Sequence, residues 1–493
     1  MALDSWATKP LNAYFTRQML GFLVLAGGVA VLLSLAPLRW GILILAGAIA
    51  VAAALFEPLT ALVLVLLFGP ARALFAAVWP GAPLYPGQVL FGLFAVAWLL
   101  RGLFRRRLRL HLPSFSVPML LYVGVGALSL WGAADLLSGL AELIKWLQML
   151  VMALLVSDCC RRRHVGWVLT AALASGVLQA VIGMWEFGLR GSGPEAFQLA
   201  PGLYRAYGTF EQPNPFGGFM GMIWPLAAGI FLELLSEARR EREKAPRIFL
   251  TMLALGATVL ALGGLVVSYS RGAWLGALAA AAVMGVLWPM RRVWGITVAV
   301  VGLVAVFWVA RVGALPVEIA ERFASVVEFA SVQDVRGVTI DAANFSLIER
   351  IAHWQAASRM ATGRPWLGVG LGNFQAAYPN YRLLNWEHAL GHAHNVYLNA
   401  VAETGLLGLG AYLLMWASVF IVTLRAIGGS IGWRRGVSLG LLGVWTHLAV
   451  HNLVDYLFVN NVHMYLGALL GVLAVIAART STDSTHYGEM IVS

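Results

Sequence analysis

The stretch "IFLTMLALGATVLALGGLVVSYSRGAWLGALAAAAVMGVLWPM", residues 248–290, decides the fold class of this chain. It contains two apolar runs joined by a short polar turn, and each run approaches the roughly 20 residues that a helix needs to cross a bilayer. Such runs recur along almost all of the 493 residues, of which 60% are apolar and 12% charged, with a mean hydropathy of +0.79. A water-soluble core cannot bury that much apolar surface, so the sequence predicts an all-α integral membrane protein.

The apolar runs predict fourteen spans with both termini in the cytoplasm. Twelve is the alternative count, because "FGPARAL" (68–74) interrupts the short third run. The predicted spans are 20–36, 40–56, 58–75, 86–104, 115–134, 138–157, 166–188, 215–236, 248–268, 272–290, 294–314, 395–424, 436–456 and 461–478. This gives a transmembrane bundle at 1–190, helices with an outer loop at 191–314, a large helical outer loop at 315–394, further spans at 395–478 and a cytoplasmic tail at 479–493.

The basic residues behind the net charge of +11 are distributed as is typical of a membrane protein. The basic clusters lie between apolar runs, and an even number of predicted spans separates each cluster from the next. They are "RGLFRRRLRL" (101–110), "RRRH" (161–164), "EARREREKAPR" (237–247), "MRR" (290–292) and "RAIGGSIGWRR" (425–435). This follows the positive-inside rule. It predicts a multi-pass membrane protein with these clusters in the cytoplasm, and it gives no reason to expect nucleic acid as a partner.

Two outer loops hold the polar residues that need an explanation. One contains "LYRAYGTFEQPNPFGG" (203–218), and the other runs from 314 to 394. Within the second, residues 344–365 read as a helix with a Ser346/Glu349 capping box, stopped by glycine and proline. The following "WLGVGLGNF" (366–374) is a glycine-rich turn without the spacing or surrounding elements of a dinucleotide fingerprint.

Three outer arginines are candidates for binding an anion. Arg271 lies at the turn between two predicted spans, Arg350 on the outer helix and Arg205 in the first outer loop. The alternative interpretation of Arg271 is an interfacial anchor, and that of the other two arginines is a solvated or paired surface position. Arginine holds phosphate through forked, charge-assisted hydrogen bonds, so two or three of these side chains could bind a diphosphate at the membrane surface.

His394 precedes a predicted helix in "GHAHNVYLN" (391–399). The start of that helix is expected to present unpaired backbone N–H groups and a positive dipole end, which attract anions and disfavour a protonated imidazole. A neutral histidine beside bound phosphate fits a general base. The alternatives are a histidine that only caps or packs, and a zinc site of His388, His392 and His394, whose spacing matches no common structural motif.

Polar stripes on the predicted spans must face protein or water rather than lipid. Asn395, Asn399 and Glu403 form one such stripe on the helix after His394. Two further sets favour a structural role, and these are His447/His451/Asp455 near an outer helix end and a Glu142–Lys145 pair on the sixth span.

Four of these segments together resemble the O-antigen ligase and polymerase superfamily. They are "RAYGTFEQPNPFGGF" (205–219), "SRGAWLG" (270–276), "RPWLGVGLGNF" (364–374) and "HNVYLNAVAETGLLG" (394–408), and the resemblance extends over roughly residues 200–460. It implies a glycosyltransferase that moves a glycan from undecaprenyl diphosphate to a sugar acceptor on lipid A-core at the periplasmic face. It also implies an inverting reaction without metal or nucleotide cofactor.

The resemblance further implies roles for particular residues. Arg271 and Arg350 correspond to the family's essential arginines, which hold the diphosphate, and His394 to the histidine that takes the acceptor's proton. Arg205, Asn214, Asn395 and Asn399 are the expected substrate-lining groups. A polymerase that joins lipid-linked repeat units and a protein-glycosylating relative stay open as alternatives, and a transporter of lipid or glycan is the alternative from a different class.

Overall fold

A computed structural model describes residues 38–81, 84–106, 112–238, 245–289, 293, 295–297, 302, 334–340 and 344–489 of the chain. Helices make up most of this part, and the one sheet in it pairs Gln198–Ala200 (β1) with Leu203–Tyr204 (β2) in antiparallel fashion. The predicted all-α membrane class is therefore confirmed. The predicted span 20–36, most of 294–314 and residues 315–333 of the long loop lie outside the described residues.

The helices are bounded as follows within the described ranges. They are α1 (Leu38–Phe56), α2 (Leu59–Phe68), α3 (Arg72–Val78), α4 (Pro86–Phe104), α5 (Ser116–Ser129), α6 (Leu136–Cys159), α7 (Arg162–Gly188), α8 (Pro213–Ala238), α9 (Ala245–Val267), α10 (Arg271–Leu287), α11 (Phe345–Gly363), α12 (Phe374–Ala377), α13 (Val396–Gly428), α14 (Trp433–His451) and α15 (Val462–Glu489).

Seven helical segments in the described ranges are long and apolar enough to cross a membrane. They are Leu59–Val78, Pro86–Phe104, Leu136–Cys159, His164–Gly188, Pro213–Glu237, Arg247–Val267 and Val396–Gly428. Shorter apolar helices at Gly47–Phe56, Ser116–Gly132, Arg271–Leu287 and Val462–Ala478 fall on four more of the predicted spans. The chain is a multi-pass membrane protein, and the total of twelve or fourteen spans stays a prediction.

Two predicted spans differ in detail from the observed helices. The third is broken, as "FGPARAL" indicated, because a 3-10 turn at Gly69–Ala71 separates α2 from α3. The span predicted at 436–456 ends earlier, because α14 stops at His451 with Asn452 as its C-cap. Asp455 therefore lies in the connection after α14 rather than on the helical stripe with His447 and His451.

The chain divides into two compact units. The first comprises residues 1–62 and 90–108, and its described part contains an ion pair of 2.8 Å between Arg101 and Glu57. The second comprises residues 63–89 and 109–493 and contains every element discussed below.

Helix α11 is fixed to the rest of the outer loop along its whole length. The apolar stripe that Ile348, Ile351, Ala352 and Ala356 form at helical spacing is buried. Its first half packs with Leu383 and Trp386, and its second half with Phe374, Tyr378 and Ala402. The predicted capping box does not form, because the N-cap is Asn344, two residues before Ser346, and it makes no side-chain capping bond.

The glycine-rich segment 365–370 is inserted into the hydrogen-bond ladder of α13. Gly405 interrupts this helix with φ +66° and ψ −170°. The amides of Leu406 and Leu407 then donate to the carbonyls of Pro365 and Trp366, at 2.7 and 3.4 Å. In return, the carbonyls of Ala402 and Glu403 accept from the amides of Val369 and Gly370, each at 2.9 Å. In a continuous helix these four groups would pair with one another.

Glycine is required at both sides of this insertion. Gly405 and Gly368 both have positive φ, and a Cβ at either position would clash with the opposing backbone, that of Trp366 or of Ala402 and Glu403. The buried Glu403 carboxylate completes the joint by accepting from the amides of Gly372 and Phe374, at 2.9 and 3.0 Å. The insertion thus connects the segment after α11 rigidly to the first two turns of α13.

Candidate active site

A cavity of about 1080 Å³ opens at one end of the second unit. Its wall comes from connections that lie between successive spans, and these are 196–215 between α7 and α8, 269–272 between α9 and α10, 390–394 before α13 and 451–460 between α14 and α15. Residues 346–350 of α11 and Arg72 complete the wall. Successive spans run in opposite directions, so these connections meet at the same end of the bundle.

The cavity is lined by many ionisable and amide side chains. These are Arg72, Gln198, Arg205, Glu211, Gln212, Asn214, Arg271, Glu349, Arg350, His392, His394, His451, Asp455 and Asn460. The set includes five of the seven residues that the sequence indicated: Arg205, Asn214, Arg271, Arg350 and His394. Asn395 and Asn399 are not among the lining residues.

His394 sits at the junction of two cavity walls. Its backbone is left-handed, with φ +50°, and its N–H donates to Nδ1 of His392 at 3.2 Å. Its own Nδ1 lies 3.5 Å from Oδ1 of Asp455, a carboxylate that is 6% exposed and that also accepts from the amide of Tyr456 at 2.8 Å. The imidazole therefore lies next to a buried acid, within ion-pair distance.

Asn395 and Asn399 hold the backbone turn on both sides of His394 through their side-chain oxygens. Asn395 is the N-cap of α13, and its Oδ1 accepts from the amides of Tyr397 and Leu398, both at 3.0 Å. Oδ1 of Asn399 accepts from the amide of Ala393 at 3.0 Å. Both side-chain oxygens are thus engaged in holding the turn, which accounts for their position outside the cavity.

The expectation of unpaired N–H groups at the start of α13 is wrong. The amides of Tyr397 and Leu398 are bonded to the Asn395 side chain, and that of Asn399 to the Asn395 carbonyl at 2.8 Å. The amide of Val396 donates to the carbonyl of Asn452 at 2.9 Å. Anion binding in this cavity must therefore rest on side chains rather than on these amides.

Two histidines and two acids next to His394 have shifted pKa values. Burial and the neighbouring His394 lower the pKa of His392 to about 3, so its imidazole is neutral. Burial also lowers the pKa of His353, which stacks on Tyr378 behind the cavity. Burial acts to raise the pKa of Asp455, but the contact with His394 and the charge of Arg350 lower it well below its usual range. Burial raises the pKa of Glu349, against the opposing effects of His394 and Arg350.

The arginines of the cavity occupy different settings. Arg205 donates through Nε to the carbonyl of Ser268 at 3.0 Å and through Nη2 to Asn214 Oδ1 at 3.1 Å and to the carbonyl of Tyr269 at 3.3 Å. It ties the α7–α8 connection to the α9–α10 hairpin. Arg271 is the first residue of α10, whose N-cap is Ser270. Arg350 lies on α11, where its charge acts on the Asp455 carboxylate.

Backbone strain is concentrated in this wall. Six non-glycine residues of the described ranges have a positive φ, and four of them line the cavity: Glu211, Tyr269, His394 and Asn460. Side chains other than glycine rarely adopt this conformation, and it is found preferentially at functional sites. Within the described part of the chain, no three His, Cys, Asp or Glu side chains are grouped so as to hold a metal ion.

Sequence reasoning missed several lining residues. Asp455 and His451 were interpreted as structural, although the His447/His451/Asp455 spacing near a helix end was visible. His447 is buried and does not line the cavity, whereas the other two do. Glu349 and Arg72 carried no separate signal.

The predicted Glu142–Lys145 pair forms and braces the cavity from outside. Lys145 Nζ lies within ion-pair distance of Glu142 and donates to the carbonyl of Phe458 at 3.0 Å. Glu142 Oε1 accepts from the hydroxyl of Tyr456, a lining residue, at 2.8 Å. The pair thereby fixes the connection after α14 to α6.

The comparison with known families bears on the centre of this site. Residues 256–413 match the family described as O-antigen ligase, and this segment contains Arg271, Arg350 and His394. Arg205 and Asp455 lie outside the matched segment. No curated protein matches the chain. Over residues 256–413, the resemblance recognised in the sequence motifs is thus confirmed independently by the match to the O-antigen ligase family.

Proposed function

We propose that this chain is a membrane glycosyltransferase that moves a glycan from an undecaprenyl-diphosphate-linked donor to a sugar hydroxyl of an acceptor. The family match supports a transferase of the O-antigen ligase and polymerase type that acts on lipid-linked glycans. One observation carries the proposal, namely that Arg271, Arg350 and the His394–Asp455 pair line a single cavity.

The proposed reaction divides the work between the arginines and the histidine. Arg271 and Arg350 bind the two phosphates and stabilise the negative charge that grows on the leaving diphosphate. His394 takes the proton of the acceptor hydroxyl through Nε2 while that oxygen attacks the anomeric carbon. The bond from this carbon to the phosphate oxygen breaks, so undecaprenyl diphosphate leaves from the opposite side and the anomeric configuration inverts.

Asp455 is a positioning residue in this mechanism. With Nδ1–H of His394 directed at its carboxylate, Nε2 keeps a free lone pair for the incoming proton. The same carboxylate stabilises the imidazolium that forms after proton transfer. Low pKa values keep Asp455 charged and His392 neutral at physiological pH, so His392 adds no positive charge beside the base.

The distribution of charge in the sequence supports a site on the outer, periplasmic side of the cytoplasmic membrane. The basic clusters 161–164, 237–247 and 425–435 flank the helix ends at Cys159/Arg162, Ala238/Ala245 and Gly428/Trp433. These are the ends opposite to the connections that line the cavity. By the positive-inside rule the clusters face the cytoplasm and the cavity faces outward.

Product analysis with purified protein tests this function. The full-length chain is reconstituted with an undecaprenyl-diphosphate-linked oligosaccharide and lipid A-core in the presence of EDTA, and the products are separated by mass. Transfer to lipid A-core with release of undecaprenyl diphosphate is the expected ligase outcome, and lengthening of the lipid-linked chain would identify a polymerase instead. His394→Ala should lose roughly 10²–10⁴-fold in rate, whereas His164→Ala, in the first turn of α7 at the opposite end of the bundle, should retain it.

Two outcomes would contradict the proposal. One is the absence of both products with wild-type protein that is folded and binds the donor. The other is transfer by His394→Ala at the wild-type rate, which would leave transport of the lipid-linked glycan as the better explanation of the cavity.

A further inference from the structure

One wall of the cavity carries an arginine that the transfer mechanism above does not use. Arg72 lines the cavity at the start of α3, directly after the 3-10 turn that breaks the predicted third span. The same wall contains Phe210, Glu211 and Asn460. We call these four residues the Arg72 wall.

The backbone that carries Arg72 is fixed to its neighbours. The carbonyl of Pro70 accepts from Oγ1 of Thr209 at 3.2 Å, and the carbonyl of Gly69 accepts from Nδ2 of Asn461 at 3.3 Å. Both glycine and proline are buried. The interruption of the span is therefore a supported turn that places Arg72 in the wall of the cavity.

The Arg72 side chain is held without an acid partner in the described part of the chain. Its guanidinium lies 5.2 Å from the ring centroid of Tyr85, which supports it by a cation–π contact. None of the described ion pairs includes Arg72, and Glu211 of the same wall is an exposed residue beyond ion-pair distance. Arg205, by contrast, already bonds two backbone carbonyls and Asn214.

A ligand that is bound at the His394 end of the cavity can also reach the Arg72 wall. Asp455 contacts His394, and Asn460, five residues later in the chain, donates to the carbonyl of Phe210 at 3.1 Å. Five residues span at most ~17 Å. The volume of about 1080 Å³ exceeds what a diphosphate fills and leaves room for several sugar rings between the two ends.

We propose that Arg72 binds an acidic group, a carboxylate or a phosphate, on the saccharide substrate of this cavity, apart from the diphosphate held near His394. The planar guanidinium matches both groups through two parallel hydrogen bonds. This inference rests on the proposed function, and it specifies the substrate class as an acidic saccharide.

Binding measurements on the full-length protein in phosphatidylcholine nanodiscs test the inference without requiring turnover. The probes are a trisaccharide with a glucuronate residue, the same trisaccharide with a phosphate ester, the neutral glucose analogue and undecaprenyl diphosphate. Wild type should prefer one of the acidic trisaccharides over the neutral one by on the order of tenfold, as one charge-assisted pair provides. Arg72→Gln should abolish this preference and leave undecaprenyl diphosphate binding unchanged.

Matched variants separate the explanations. Arg359→Gln, at an exposed position of α11 outside the cavity, should bind all probes as wild type does. Arg72→Lys keeps the charge without the fork, so it should retain part of the preference, and it replaces Arg72→Gln if that variant does not fold. Arg271→Gln should weaken undecaprenyl diphosphate binding and preserve the preference for the acidic trisaccharide.

Several results would overturn the inference. They are an acidic preference that survives Arg72→Gln, no preference in wild type, or a loss of undecaprenyl diphosphate binding in Arg72→Gln as large as in Arg271→Gln. Loss of the preference in nanodiscs of phosphatidylglycerol would assign Arg72 to lipid headgroups instead. Arg72-dependent binding without any transfer would contradict the proposed function alone, and transfer without the preference would contradict this inference alone.

Discussion

His394 Nδ1 and Asp455 Oδ1 lie 3.5 Å apart, across two connections that are distant in the sequence. His394 directly precedes α13, and Asp455 follows the end of α14. The amide of Val396 and the carbonyl of Asn452 join the same two connections at 2.9 Å. This backbone hydrogen bond sets how closely the two connections approach, and it thereby brings the side chains of His394 and Asp455 together.

Replacing Asp455 by asparagine should slow the proposed transfer without weakening substrate binding. The amide keeps the shape but cannot hold the His394 tautomer or stabilise the imidazolium, so we expect kcat to fall roughly 10²-fold with little change in KM. Steady-state kinetics with the lipid-linked donor check this, with Asp334→Asn, a half-buried residue outside the cavity that pairs with Arg336 and accepts from Gln355, as the control. An Asp455→Asn variant with wild-type kcat would exclude the positioning role.

His392 should make the folded protein sensitive to acid. Burial lowers its pKa from 6.5 to about 3, so the unfolded chain binds a proton at a pH where the folded chain does not. Above about pH 6.5 the His392 imidazole is unprotonated in both states, so it does not affect the free energy of unfolding. As the pH falls from there toward the folded pKa, protonation of the unfolded chain lowers the stability of the folded state. In thermal melts between about pH 7 and pH 4, His392→Gln should lose less Tm than wild type. An equal loss of Tm in wild type and His392→Gln would contradict this role of His392.

Removal of the Glu403 carboxylate should loosen the outer loop. Glu403→Ala leaves the amides of Gly372 and Phe374 buried without a hydrogen-bond partner. Each unpaired amide should lower the free energy of unfolding by about 1–3 kcal/mol. We expect a lower Tm in detergent and a reduced transfer rate, because α11 with Arg350 is attached through this segment. Glu387→Ala, at an exposed position of the same loop, is the control and should leave both properties unchanged. A stable and fully active Glu403→Ala variant would show that the insertion at Gly405 suffices without the carboxylate.

Two glycines on one helix provide an internal comparison. Gly405→Ala adds a Cβ that clashes with the backbone of Trp366 at a positive φ, whereas Gly410 has nothing within 4 Å of its Cβ position. The first change should lower the melting temperature strongly. The second should be neutral or stabilising by about 0.5–1 kcal/mol, as expected for glycine to alanine within a helix. The comparison uses thermal unfolding in detergent, and similar effects of the two changes would mean that α13 can close its ladder without the inserted segment.

The spans could be predicted from the sequence because each is decided by its own residues. The apolar run of α9 and the turn at Ser270–Arg271 are local features, and so is the apolar stripe of α11. The motifs around Arg271, Arg350 and His394 indicated residues that meet in one cavity, although nothing in their separate surroundings specifies that meeting.

Other features depend on partners far away in the chain, which local patterns do not reveal. The amide of Val396, at the start of α13, was expected to be unpaired because its partner, the carbonyl of Asn452, is distant in the sequence. Asp455 was placed on a helical stripe because "HNLVDYLF" (451–458) has no glycine or proline to mark the end of α14 at His451. The glycines at 368 and 405 have their meaning only when the two segments are brought together.

The insertion at Gly405 also divides α13 into a part that can cross the bilayer and a part that is held at the cavity. Residues 406–428 alone form a helix of ~34 Å, which is enough to cross the hydrocarbon core of roughly 30 Å. Such a span tilts when bilayer thickness changes. The two turns above Gly405 are held instead by the inserted segment and by Asn452. The turns next to His394 therefore lie outside the length of α13 that is needed to cross the membrane.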